Sequence, residues 1–290
     1  MAVRDSLHKI VAEVYGFLEQ GGSAFDAVIL GAQLLEDNPQ FNAGTGSVLQ
    51  SDGQIRMSAS VMDGSGQKFS GVINVSRIQH PIEVAKALQT ETDRVLSDYG
   101  AAEIVRELQM PIHNPLTDLR LNEWMAERRD DFQSSMAGVV AEDEMASSAR
   151  RGTIGVVALD QDGNVAAATS TGGKGLERIG RVSDSAMPAG NYATSLAGVS
   201  CTGIGEDIID ECLAAKIVIR VTDGMMLTKA MQKSIDESVQ NKRDLGAISL
   251  DAEGNIVWGK TSEILLAAYH DGEAIGDTLK WQLEPGVGSV

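Results

Sequence analysis

Gly152-Thr153-Ile154-Gly155-Val156-Val157-Ala158-Leu159-Asp160 is the stretch on which the architecture turns. Residues 154–159 form an apolar run of strand length. Asp160-Gln161-Asp162-Gly163-Asn164 then reads as a turn, and residues 165–169 as the returning strand. The same strand, Asp-x-x-Gly turn, strand design recurs at 247–258, around Asp251-Ala252-Glu253-Gly254-Asn255. A looser version, with Ser51-Asp52-Gly53 as its turn, predicts a hairpin over 46–57. The spacing is irregular, which excludes a solenoid and points to hairpins of antiparallel sheets.

Helical sequence surrounds these hairpins. Leu7, Ile10, Val11, Val14, Tyr15 and Leu18 fall on one helical stripe, stopped by Gly21-Gly22. Ser23 is an N-cap candidate with Asp26 three residues on, opening an apolar helix over 27–35 that Pro39 ends. Further helices are predicted at about 81–97, 98–109, 207–223 and 227–241. Blocks of antiparallel strands separated by helix pairs predict an α+β fold, two antiparallel sheets packed together and flanked by helices, rather than a doubly wound βαβ fold. Residues 111–151 differ from the rest. They carry two prolines, the charge run Glu127-Arg128-Arg129-Asp130-Asp131 and a small/acidic segment, and apart from a helix near 121–130 they read as an exposed, mobile linker.

Composition narrows the function. The 290 residues are 43% hydrophobic and 22% charged, as in a globular protein. With 24 basic against 41 acidic residues the net charge is −17, which argues against nucleic acid as a partner. No apolar run is long enough for a membrane span, and Met1-Ala2-Val3-Arg4-Asp5 opens without an apolar signal segment, so a cytoplasmic location is expected. Cys201 and Cys212 are expected as reduced thiols in a core. His8, His80, His113 and His270 lack zinc-site spacing.

The arm that ends at Gly152-Thr153 and feeds an apolar strand suggests chemistry. A threonine hydroxyl needs a base. A threonine at a chain start carries one, since an α-amine has a pKa of about 7.7–8.0, whereas an internal amide nitrogen accepts no proton. On the dipeptide alone, Thr153 is more simply a β-branched residue opening a strand. Likewise Arg181 and Asp184, three apart, read on their own as a surface ion pair. Gly172-Gly173-Lys174-Gly175 lacks the phosphate-loop frame, and Ser60, Ser170 and Ser185 have no neighbouring histidine in sequence.

Six motifs in order change that balance: Asp37-Asn38-Pro39-Gln40-Phe41-Asn42-Ala43-Gly44, Met62-Asp63-Gly64, residues 152–160, Ser170-Thr171-Gly172-Gly173, Gly180-Arg181-Val182-Ser183-Asp184-Ser185 and Thr202-Gly203-Ile204-Gly205-Glu206. With them the chain resembles, from about residue 6 to about 260, the plant-type asparaginases, or isoaspartyl (β-aspartyl) aminopeptidases, of the N-terminal-nucleophile hydrolases. The resemblance implies one domain over 1–290 in a four-layer αββα sandwich, cut between Gly152 and Thr153 into chains 1–152 and 153–290. The products would assemble as a dimer of αβ heterodimers. It implies hydrolysis of the side-chain amide of L-asparagine and of β-aspartyl dipeptides, with Thr153 as nucleophile, Thr171 beside it, and Arg181 and Asp184 holding the α-carboxylate and α-ammonium. Thr202 and Gly203 would form the oxyanion hole, Gly205 a close backbone approach to substrate, and Asn42 an aid to cleavage and catalysis. No catalytic cofactor is implied. A structural sodium ion would sit on main-chain carbonyls at Leu35, Glu36, Asn38, Phe41, Ala43 and Thr45.

Three departures from the family pattern qualify these expectations. The family opens with a strand and a His-Gly-Gly loop ahead of the first helix, whereas this sequence opens inside that helix. Ser183 stands where glycine is usual and is expected to crowd the substrate pocket or alter the backbone, and Ser58 replaces a common acidic residue. Two alternatives stay open: a glycosylasparaginase or threonine-dependent protease with the same cleavage chemistry, and an uncut, truncated, non-enzymatic scaffold.

Overall fold

The computed structural model describes residues 2–129, 152–278 and 284–290. Helices α1 (Ala2–Glu19) and α2 (Ala24–Glu36) lead into strands β1 (Met57–Asp63) and β2 (Lys68–Val75), helix α3 (Pro81–Ala87), strand β3 (Val95–Ser97), and helices α4 (Asp98–Glu107) and α5 (Asp118–Arg129). After the undescribed segment come β4 (Ile154–Leu159), β5 (Val165–Thr171), β6 (Asn191–Ala193) and β7 (Ala197–Gly203). Helices α6 (Gly205–Glu211), α7 (Leu213–Thr222) and α8 (Leu227–Gln240) follow, then β8 (Leu245–Asp251), β9 (Ile256–Lys260), β10 (Ala268–His270), β11 (Ile275–Asp277) and β12 (Gly286–Ser289).

Two five-stranded sheets form, in the orders β3-β2-β1-β5-β4 and β12-β9-β8-β7-β6, with β10 and β11 as a separate ribbon. Helices α2 and α3 cover the outer face of the first sheet, burying Ala27, Val28, Ile82 and Val84 with Val61, Ile154 and Ala168. Helices α7 and α8 cover the second, burying Leu213, Ile217, Met231 and Ile235 with Val199, Ala247 and Val257. The inner faces meet across small residues. Ala167 and Ala193 cluster there around one large side chain, Met62, and the Thr169 and Ser200 hydroxyls are 2.7 Å apart. This is the expected helix–sheet–sheet–helix sandwich.

The two Asp-x-x-Gly-Asn turns work alike. Asp160 Oδ1 accepts from the Asp162 and Asn164 N–H groups at 3.0 and 2.9 Å, and Asp251 Oδ1 from those of Glu253 and Asn255 at 3.1 and 2.9 Å. Gly163 and Gly254 take the positive φ that each turn requires, +81° and +89°. Asp160 Oδ2 also accepts the Ala24 N–H at 2.9 Å, tying the hairpin to the start of α2, where Ser23 caps Asp26 as its sequence predicts.

Several expectations need correction. The hairpin predicted over 46–57 is reduced to its turn, where Gln50 N–H donates to Gln54 O and Gly53 N–H to Gln50 O, both at 2.9 Å, while the flanking backbone is engaged elsewhere. Val48 N–H donates to Asn42 Oδ1, Leu49 O accepts from Leu176 N–H, and Ser51 N–H donates to Glu177 O. The helix predicted over 81–97 stops at Ala87, and β3 runs parallel to β2, so the first sheet is not wholly antiparallel. The intervening Gln-Thr-Glu-Thr-Asp-Arg offers nothing apolar to continue a helical stripe. The helix predicted over 207–223 is broken at Cys212, which adopts φ +47° and is exposed, while Cys201 is buried. The start of the supposed linker is anchored rather than mobile. Arg120 is buried with Nε donating to Gly46 O at 2.7 Å, and Trp124 Nε1 donates to Gln50 O at 3.0 Å. The remaining linker residues, 130–151, lie outside the described residues. Among the described residues no helix is long and apolar enough to cross a membrane.

The sheets leave no room for a side chain at Gly155, where a Cβ would stand 2.0 Å from Ser200 Oγ. Gly155→Val should therefore destabilise the protein by about 1–3 kcal/mol through overpacking, read as a lower urea midpoint. An unchanged midpoint would mean that the sheets part there without cost.

Candidate active site

The site follows from the pleat. Along β5, Ala166, Ala168 and Ser170 face the helical layer and Ala167, Thr169 and Thr171 face the second sheet, since alternate side chains point to opposite faces. In β7 Val199 and Cys201 face α7, so Ser200 and Thr202 point toward the first sheet. Ile154 pairs with Ser170 across β4 and β5 and packs outward, which turns Thr153 inward beside Thr171. The Thr153 hydroxyl is 3.3 Å from Thr171 Oγ1, which in turn accepts the Gly173 N–H at 3.1 Å. Thr153 and Thr202 line one cavity of about 440 Å3 that runs along β4 beneath α1. Gly152 and Thr153 are both half-buried.

Asn42 is fully buried at the junction. Its Nδ2 donates to Gly173 O at 2.7 Å and its carbonyl accepts Gly172 N–H at 2.9 Å. A Cβ at Gly172 would stand 2.4 Å from Asn42 Oδ1, so the Gly-Gly pair is what lets β5 end against this amide. Gly203, at the end of β7, has φ +128°, and a side chain there would strike Asp244 O and Leu245 Cα, both at 2.6 Å.

Two residues past Gly203, and outside the lining of the cavity that Thr153 and Thr202 share, lies a cradle of opposite charges. The point that a Cβ of Gly205 would occupy is 2.4 Å from Arg181 Nη2 and 2.7 Å from Asp184 Oδ1. The surface-ion-pair reading of Arg181 and Asp184 fails: Asp184 is buried, and Arg181 instead forks Glu206, Nε at 2.8 Å and Nη2 at 3.2 Å from its two oxygens. Burial pushes the Asp184 carboxyl up to about 6, against the pull of Arg181. Its Oδ2 is buried without a hydrogen-bond partner. An α-amino acid head group brings what such a place lacks, a carboxylate for a guanidinium and an ammonium for a carboxylate.

Ser183 bonds the same Asp184 oxygen that faces Gly205. It is buried, caps the single 3-10 turn Asp184–Ala186 by accepting from Ser185 N–H at 3.2 Å, and donates to Asp184 Oδ1 at 3.2 Å. A serine at 183 thus supports the neighbouring carboxylate. Ser170 donates to Glu36 Oε1 at 2.6 Å, and His80 Nδ1 lies 3.3 Å from the other oxygen of that carboxylate. This places the carboxylate, not an imidazole, against the hydroxyl, the wrong order for a serine triad. Burial raises the Glu36 carboxyl above its usual range in spite of those bonds. The sequence alone assigns Glu206 no role. Its position next to Gly205 was visible, but the fork it makes with a residue 25 positions earlier was not.

The loop after α2 is closed by its own backbone. Leu35 O accepts from Asn38 N–H, Asn38 O from Phe41 N–H and Glu36 O from Thr45 N–H at 2.8 Å, while the Thr45 hydroxyl is 3.1 Å from His113 Nε2. Ala43 is fully buried within it. Gly44 (φ +52°) folds so closely on Glu36 O that a Cβ would come within 2.4 Å. Leu35 O accepts from the Asp37 N–H as well, while main-chain carbonyls are the type of oxygen that a hard alkali cation takes. Among the described residues no cluster of three His, Cys, Asp or Glu side chains could hold a metal.

Comparison with known proteins agrees with this architecture. The asparaginase family model matches residues 1–280. An isoaspartyl peptidase/L-asparaginase of Nostoc sp. is 67% identical over 291 residues, covering 100% of this chain and 92% of that protein. One of Synechocystis sp. is 67% identical over 278 residues, covering 96% and 84%. A plant-type L-asparaginase of Pyrococcus horikoshii is 36% identical over 266 residues, covering 89% and 87%. With a family match across nearly its whole length and two relatives at 67% identity of which it covers 92% and 84%, the chain belongs to the asparaginase family.

Proposed function

We propose that the protein is a self-processing threonine hydrolase that cleaves the side-chain amide of L-asparagine and of β-aspartyl dipeptides and releases L-aspartate. The observation that carries this reading is the pair of hydroxyls 3.3 Å apart, Thr153 and Thr171, the first of which lines one cavity together with Thr202. Hydrolysis of the Gly152–Thr153 bond consumes one water and leaves a carboxylate on Gly152 and an amine on Thr153. That amine takes the Thr153 hydroxyl proton as the oxygen attacks the substrate's side-chain carbonyl. Thr171 accepts from or donates to the attacking oxygen and orients it. The Thr202 hydroxyl and Gly203 N–H stabilise the tetrahedral oxyanion. The leaving ammonia or α-amine takes the proton back from the Thr153 ammonium. Water then hydrolyses the ester to aspartate and frees the threonine.

Arg181 and Asp184 fix the head group on the Gly205 backbone, and Asn42 braces Gly172 and Gly173 behind Thr171. A residue inside a peptide has no free head group, which disfavours a general protease. A sodium ion on the carbonyls of Leu35, Glu36, Asn38, Phe41, Ala43 and Thr45 would stiffen the loop that carries Asn42. Two cleaved αβ units pairing into a dimer completes the proposal.

Incubated protein should resolve in an intact-mass spectrum into fragments of 152 and 138 residues and release ammonia from asparagine, while Thr153→Ala stays whole and inert. Cleavage or ammonia release by Thr153→Ala would overturn the assignment. Faster turnover of glycosylated asparagine than of either proposed substrate would move it to the glycosylasparaginases.

The raised Asp184 carboxyl gives a second expectation. The folded state holds the Asp184 proton up to about pH 6, whereas the unfolded chain releases it near pH 4. The folded state's preference for the protonated acid is thus complete below pH 4 and lost as pH rises through 6. Asp184→Asn, which never ionises, should gain stability relative to the native protein between pH 4 and 7, read from urea midpoints across that range. A pH-independent difference would contradict the burial argument.

A further inference from the structure

Holding an acid and a base one head group apart is unstable on its own, because the two attract each other into a direct pair. Arg181 Nη2 and Asp184 Oδ1 flank a single point above Gly205, 2.4 and 2.7 Å from it, and yet Arg181 takes its ion pair with Glu206. Glu206 engages Nε and Nη2, one side of the guanidinium. A carboxylate grips a guanidinium either by that side or by the end that carries Nη1 and Nη2, so side-on engagement leaves the end for another carboxylate. The geometry is asymmetric in cost. Arg181 is only slightly exposed, with a side chain at 12%, whereas Glu206 at 50% is half in solvent and Lys174 Nζ lies 3.8 Å from it. The hydrogen bond from Arg181 keeps the Glu206 carboxyl below its usual range, so it stays ionised.

We propose that Glu206 is a positioning residue that holds Arg181 off Asp184, keeping the head-group cradle open for a free α-amino acid. The inference rests on the head-group role of Arg181 and Asp184 proposed above. Without the Glu206 carboxylate the guanidinium is left with two buried carboxylates whose charge it feels, Glu177 and, facing Nη2 across the cradle, Asp184, whose Oδ2 is unpartnered. Arg181 then closes onto Asp184, and substrate must break a buried pair in order to bind.

The test has two arms. In the first, asparagine kinetics of Glu206→Ala should show KM raised about tenfold or more with kcat within about threefold. Glu206→Gln, which keeps an acceptor for Nε, should show a smaller rise. A KM unchanged in both variants would overturn the proposal. The second arm needs no substrate, so it separates failure of this inference from failure of the hydrolase reading. Urea midpoints at pH 7 are measured for Asp184→Asn in the native and Glu206→Ala backgrounds. The substitution should be neutral or stabilising in the native background and destabilising in the other, where it removes the newly formed pair. Equal shifts in both backgrounds would show that Arg181 does not move onto Asp184.

Discussion

Strand β5 is buried along its whole length, one face under α2 and the other against the second sheet. A strand so enclosed must be made of small side chains, and each polar one must find a partner. Val165-Ala166-Ala167-Ala168-Thr169-Ser170-Thr171 meets both conditions. Thr169 bonds Ser200, Ser170 bonds Glu36, and Thr171 bonds the Thr153 hydroxyl and the Gly173 N–H. The small residues bring the two sheets close enough for strands from both to contribute to one cavity. The polar ones at its C-terminal end connect that cavity to the loop after α2 and to the start of β4.

The electrostatics follow from the same enclosure. Asp184 sits where water does not reach it, so its ionisation is costly, and it is eased by the Ser183 hydroxyl and by Arg181. Glu206 stands at the edge and is stabilised as an anion by the fork it makes. In the proposed reading a buried carboxylate and a half-exposed one beside the same guanidinium divide the work, the outer one orienting it and the inner one available for a cation. That division is what a site for a zwitterion needs, and neither residue has it alone.

Much of this was legible in the sequence where local chemistry decides. The Asp-x-x-Gly-Asn turns at 160 and 251, the α1 stripe and the Ser23 cap all depend on neighbours within a few positions. What failed depended on distant partners. Residues 46–57 carry hairpin patterning, but Asn42 and the 176–177 backbone take their hydrogen bonds first. Arg120 in a charged stretch reads as solvated, and only the fold shows its side chain buried against Gly46 O. Ser183 illustrates both sides: its departure from glycine was visible, while the direction of its hydroxyl was set by the 3-10 turn that it caps.

A crystal structure of the incubated protein with L-aspartate tests the central claim most directly. The account requires Thr153 at the start of a chain, the ligand's α-carboxylate on Arg181, its ammonium on Asp184, and its β-carboxylate within hydrogen-bond reach, about 3 Å, of Thr153 Oγ1. Aspartate bound elsewhere, or held in the cradle with its β-carboxylate turned away from an unprocessed Thr153, would contradict it.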